Sequence, residues 1–349
     1  MPFRIKVSLF VLAFLALLVF VVPLVVPVPP APNTAPLSAL AGDAEYVQVA
    51  GVDLHVERYL AAAPAAAPTS APAAAPASAA GQAPFFLLLH DYAFSAYTFA
   101  PLGPALATHG AAVAFDRPGF GLTDRPLPSG GRYDIGFDPY TPEAQVRFAV
   151  GLLDELGQDD AVLIGNGIGG RVALEVALAH PERVAGLVLL NTPAFLAEGR
   201  AAPGWSLNSP QMRKLGPVFL RQLAEGPGEQ LLVNAFADPD FVTDEIRAAH
   251  AVTTSVDDWD RAWWEISRVG SPPDLEGRVS AVRVPVLVVT GEADISYPLE
   301  DAERLVSELP NAELVTLAEC GRVPQLECPE LLMDVVNDWL AGTGLVARR

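Results

Sequence analysis

Lysine is almost missing from this chain. Lys6 and Lys214 are the only two, and the 22 basic residues together face 41 acidic ones, a formal net charge of -19 over 349 residues. No basic face for phosphate contacts can be built from that balance, which excludes nucleic-acid binding. Cysteine is equally scarce: Cys320 and Cys328, eight positions apart, are too few for a disulfide framework or a zinc ribbon. One bridge between them is open to an oxidising compartment, but spacing says nothing about Cα separation, so two ordinary small residues is the simpler reading. Histidine is limited to His55, His90, His109, His180 and His250. The sequence calls for no metal and no cofactor.

What is abundant is apolar. Residues 7–28 run without a charge for 22 positions, close to the roughly 20 needed to cross a bilayer. Arg4 and Lys6 precede the run, so a cytoplasmic tail at residues 1–6, a membrane anchor at 7–28 and an extracytoplasmic remainder are expected. Cleavage after a signal-like Ala39-Leu40-Ala41 is the rival, which leaves a secreted or periplasmic domain, but that site lies far beyond the apolar run. Residues 29–44 read as a Pro/Ala-rich spacer, and residues 61–83 as a low-complexity loop with too little apolar surface to fold.

Between these, residues 46–60 alternate around a Gly51 turn and read as a hairpin. Apolar runs follow at 85–89, 111–115, 161–164, 185–190, 284–289 and 312–317, separated by helical patterns. That is the signature of a mostly parallel, doubly wound α/β sheet buried on both faces. Residues 193–279 lose the alternation and carry Trp205, Trp259, Trp263 and Trp264, reading as a helical lid inserted between core parts at 45–192 and 280–349. The tryptophan spacing favours packing within the insertion over a ligand cage.

At residues 161–171, AVLIGNGIGGR, a strand run meets a glycine-dense turn and then a helix, the setting of a nucleophile elbow. With it, in order, come His90-Asp91, the Asp116-Arg117-Pro118-Gly119 loop, His180-Pro181, Gly291-Glu292-Ala293-Asp294 and Cys320-Gly321-Arg322-Val323-Pro324. Over about residues 46–340 the chain resembles the α/β-hydrolase superfamily. The resemblance implies a Ser-His-Asp triad at three positions of this sequence. The nucleophile position holds Gly167, which has nothing to attack with, and the base position holds Arg322, a permanent donor that accepts no proton. Only the acid, Asp294, is retained.

His90, Asp91 and Ile168 fall at the oxyanion loop and pocket, and Asp91 puts an anion where one would form in the transition state. Arg322 is expected to pair with Asp294, and His90 is the histidine expected in the cleft. Ser95, Tyr92 and Cys320 are conceivable substitute nucleophiles, but none has a base beside it in sequence, so structural roles are preferred. Three functions compete. The first is a membrane-anchored, catalytically silent homologue that binds a small apolar ligand or a protein partner under its lid. The second is an active hydrolase of an ester, epoxide or related substrate using His90, Asp91 or Asp294, and the third is a structural envelope module.

Overall fold

Leucine- and valine-rich runs of four to eight residues, punctuated by glycine and proline, build the sheet of this protein. The computed structural model describes residues 21–61, 83–127, 135–195, 204–269 and 275–346. Strands β1 (Glu45–Val49) and β2 (Val52–Tyr59) form the expected hairpin, closed by Ala50 and Gly51, both at positive φ as a two-residue turn requires. Strands β3 (Phe86–Leu89), β4 (Ala112–Phe115), β5 (Ala161–Asn166), β6 (Val184–Leu190), β7 (Val286–Gly291) and β8 (Ala312–Leu317) complete an eight-stranded sheet of order β1-β2-β4-β3-β5-β6-β7-β8. β2 alone runs opposite to the other seven strands, so its pairings with β1 and β4 are antiparallel and the rest are parallel.

Helices α1 (Pro142–Glu155), α2 (Ile168–Ala179) and α6 (Leu299–Glu308) cover one face, and α7 (Pro329–Thr343) the other. Alternation within β3 divides the two cores: Leu87 and Leu89 point to the first, Phe86 and Leu88 to the second. The expectation of burial on both faces fails at β8. It is an edge strand with Glu313 and Thr316 exposed, because no further strand follows it in the sheet.

Between β6 and β7 the described chain is helical: α3 (Pro210–Val233), α4 (Asp244–Ser255) and α5 (Trp259–Val269). Trp259 and Trp263 pack with Phe120 of the loop after β4, and Trp263 Nε1 donates to Gly119 O at 3.2 Å. Trp264 is buried against Gly216, where no side chain would fit. These contacts set the insertion over the carboxyl ends of the strands, where ligands of α/β sheets bind.

The apolar run at 7–28 lies outside the described residues except for 21–28, which holds a helical turn at Val22–Val25. Among the described residues no helix is long and apolar enough to cross a membrane. Positions 62–82 of the low-complexity loop also lie outside them. Ahead of β1 the chain runs along the insertion: Arg221 donates to Pro29 O at 2.9 Å, and Thr34 Oγ1 to Asp257 at 2.6 Å.

Candidate functional site

Strand β5 ends at Asn166 and helix α2 begins at Ile168, so one residue, Gly167, turns the chain between them. Its φ of 53° and ψ of -119° belong to a region that L side chains rarely adopt and glycine tolerates. The turn thus combines the backbone of a strained elbow with a residue that has no side chain. Gly165 and Gly170 let strand and helix touch backbone to backbone, since a Cβ on either would overlap the other.

The space a nucleophile would use is filled from the loop after β3. A Cβ built on Gly167 would fall inside the Asp91 carboxylate. Asp91 is fully buried, and its Oδ1 accepts from two backbone amides, Ile168 N at 2.8 Å and Tyr92 N at 2.7 Å. One amide follows the elbow and the other comes from the β3 loop, the two sources from which this architecture builds an oxyanion hole. The carboxylate oxygen stands where a tetrahedral intermediate would place its own. Any acyl oxyanion would meet an occupied site and a like charge.

Asp91 Oδ2 is held in turn by Arg322, whose Nε and Nη2 lie at 2.7 and 2.6 Å. The expected Arg322–Asp294 ion pair is thus corrected: the arginine reaches across the elbow to Asp91. Asp91 is buried close to it and has no other ion-pair partner among the described residues, whereas Asp294 already accepts from Asn191 Nδ2 at 2.8 Å and from Ser296 N at 2.7 Å. Arg322 lies between the rings of Phe94 and Tyr297, 5.6 and 5.4 Å from their centroids. Its loop is pinned by Asn166, which donates to Arg322 O at 2.8 Å and accepts from Gln325 at 3.1 Å. Cys320 and Cys328 are joined in a disulfide around the same loop, which overturns the reading of two unpaired thiols and removes Cys320 as a nucleophile.

Burial raises the Asp294 carboxyl above its usual range, and the donors around it only partly offset this. The folded state then holds that proton more tightly than the unfolded chain, so stability falls as pH rises through the window above the unfolded value. Asp294→Asn should gain stability relative to the wild type as the pH is raised from about 4 in urea titrations. A pH-independent difference would show that the carboxylate is as comfortable folded as unfolded.

His90 is not in the cleft. It is fully buried, its Nε2 accepts from Arg117 N at 2.9 Å, and its Nδ1 therefore carries the proton donated to Asp91 O at 2.7 Å. Burial pushes its pKa down to about 3, and with both nitrogens engaged it has no role as a base. The histidine that does approach the site is His250 of α4, 5.1 Å from Phe94 and lowered to about 4 by burial and then by the Arg322 charge. Its Nδ1 is buried without a partner among the described residues. Sequence reasoning missed His250, Phe94, Tyr297 and Arg117, because nothing in their spacing places them beside residues 91 and 322. Ser95 is buried ahead of a helical turn, and Tyr92 packs on Phe120 and Trp263.

The catalytic point is plugged, but a chamber remains beside it. A cavity of about 100 Å³ is lined by Tyr92, Arg117, Phe120, Ile168 and Ile266 among others, and is mostly apolar. Among the described residues no cluster of three metal-ligating side chains occurs.

Residues 84–329 match the sequence profile of the family described as the alpha/beta hydrolase fold. The chain is 30% identical over 244 residues to a 2-hydroxymuconate semialdehyde hydrolase of Pseudomonas sp. (strain CF600), covering 68% of this chain and 79% of that one. It is 32% identical over 200 residues to a pimeloyl-[acyl-carrier protein] methyl ester esterase of Aromatoleum aromaticum, covering 55% and 78%. Among solved structures, an enol-lactonase from Burkholderia xenovorans LB400 superposes with a TM-score of 0.63 at 20% identity, over 85% of this chain and all of that one. That last likeness speaks for the fold alone.

Proposed function

Because the chain belongs to the α/β-hydrolase fold family, we propose its function from what its own cleft has kept and lost: it binds a small ligand beneath the helical insertion, acting as a lid, without the family's acyl transfer. The observation that carries this is the Asp91 carboxylate seated on the Ile168 and Tyr92 amides and clamped by Arg322. Nucleophile, base and oxyanion hole are lost together, which removes the triad's whole contribution and the residual one from the hole. The cavity beside Ile168 leaves room for a ligand where the reacting atoms would not fit. Membrane anchoring through residues 7–28 and an extracytoplasmic domain belong to the same proposal. The Cys320–Cys328 bridge supports that compartment, since structural disulfides persist where it is oxidising.

The relatives weigh on the other side. They are named as hydrolases, and they favour an active enzyme over a catalytically silent one. The second reading is therefore a hydrolase that uses Asp91, whose carboxylate stands at the elbow, as its nucleophile. Against it, both Asp91 oxygens are engaged by four donor contacts, and His90, the nearest histidine in sequence, is locked as a neutral structural group.

Turnover of p-nitrophenyl butyrate and of styrene oxide by the purified full chain separates the two. Background rates that Asp91→Asn leaves unchanged are expected. Turnover well above background that Asp91→Asn abolishes, with the variant still folded, would replace the binding reading by the second.

A further inference from the structure

The buried arginines among the described residues have a carboxylate or several carbonyls to donate to, with one exception. Half-buried Arg322 has Asp91 and half-buried Arg221 has Asp260 at 2.7 Å, while fully buried Arg125 donates to the carbonyls of Gly121, Thr123 and Thr253 and Arg171 to those of Pro193 and Ala194. Arg117, on the loop after β4, is 4% exposed and has no carboxylate within ion-pair distance among the described residues. Its Nη1 reaches Gln145 Oε1 only at 3.5 Å, its Nε and Nη2 have no partner and are closed to water, and its guanidinium lies 5.1 Å over the Phe120 ring. Burial brings its pKa down to about 10, so it stays a cation at neutral pH. A buried charge without a counter-ion is costly, and structures tolerate one mainly where a partner arrives.

Arg117 lines the cavity next to the elbow. So does Tyr140, whose hydroxyl is also buried and unpartnered, and the remaining wall includes Ile168, Val172 and Ile266. The other charged groups of the lining are already engaged, Arg171 by the Pro193 and Ala194 carbonyls and Glu175 by Arg278, so the Arg117 cation and the Tyr140 hydroxyl beside the apolar wall describe a complementary molecule with a single anionic head and a short hydrocarbon body. We infer that this cavity takes a small aliphatic monocarboxylate, its head paired with the Arg117 guanidinium and its chain against Ile168, Val172 and Ile266. The volume of about 100 Å³ is smaller than an apolar cavity known to hold a benzene ring, which sets the body at about three to five carbons. The guanidinium fork matches a carboxylate in two parallel hydrogen bonds, and Nε and Nη2, which have no partner among the described residues, are the donors left to make them. This inference rests on the ligand-binding reading of the cleft and names the class of ligand.

The test is calorimetry and thermal shift on the full chain in detergent at pH 7, with isobutyrate and its uncharged isostere isobutyramide. Isobutyrate should raise the melting temperature and bind at least about tenfold tighter than the amide. Arg117→Gln should abolish that preference, while Arg322→Gln should keep it. Equal binding of acid and amide to the wild-type chain, or a preference that survives Arg117→Gln, overturns the anion inference and leaves ligand binding standing. Binding of neither probe overturns both. If Arg117→Gln does not fold, the wild-type comparison of acid with amide decides.

Discussion

Gly167→Ser is expected to lower the melting temperature by on the order of 10 °C, equivalent to about 4 kcal/mol or more, and to restore no activity. Two costs add. The new Cβ must occupy the volume of the Asp91 carboxylate, and a serine must adopt a φ of 53° that glycine holds freely. The carboxylate cannot retreat without leaving the Ile168 and Tyr92 amides and the Arg322 guanidinium. Asp91→Gly added to Gly167→Ser should recover much of the loss, because it empties the same volume. It also vacates both amides, so only the triple variant with Arg322→His rebuilds a nucleophile, a base beside Asp294 and an open oxyanion hole. Esterase activity at least about 10²-fold above Asp91→Gly alone is expected from it, a small part of the roughly 10⁶-fold that an intact nucleophile and base contribute. Thermal denaturation and p-nitrophenyl ester hydrolysis read both effects. A Gly167→Ser protein that melts with the wild type would mean that Asp91 does not fill the elbow.

The second large effect concerns the pair itself. Arg322→Met leaves a fully buried carboxylate with amide donors only, and Asp91→Asn leaves a guanidinium whose side chain is 13% exposed without its counter-ion. Each should cost about 3 to 5 kcal/mol. Together the two substitutions remove both charges, and the carboxamide oxygen that Asp91→Asn introduces still accepts from the two backbone amides, so the double variant should cost far less than the sum. A double-mutant cycle in urea is expected to give a coupling of about 2 kcal/mol or more. Because the pair is buried, raising the salt to about 0.5 M should change the coupling little. Single variants within about 0.5 kcal/mol of the wild type would reduce the pair to a surface contact.

Much of the sheet was legible in the sequence. Residues 312–317 read as a strand and form β8 in full, while the run at 284–289 forms β7 two positions later, at Val286–Gly291, since Pro285 cannot donate to the ladder. The edge position of β8 was not legible, because a strand's neighbours are a property of the sheet. The chemistry of residues 167 and 322 was readable from residue types alone: glycine has no side chain, and arginine accepts no proton. The partner of Arg322 was not, for two carboxylates, Asp91 and Asp294, were both chemically fit to pair with it. Asp91 lies 231 positions away along the chain, and only the way the loops converge at the elbow selects it.

The sequence by itself determined the α/β class, the order of its strands and loops, and which residue types stand at positions 91, 167, 294 and 322, since these follow from periodicity and from functional groups. The tertiary structure decided the rest. It put a carboxylate on the oxyanion amides, locked His90 away as a neutral link, joined Cys320 to Cys328, and left Arg117 buried beside an apolar chamber without a counter-ion. Each of these depends on close approach between segments that the turns and crossovers bring together, and hydrogen bonds and ion pairs are decided at about 3 Å.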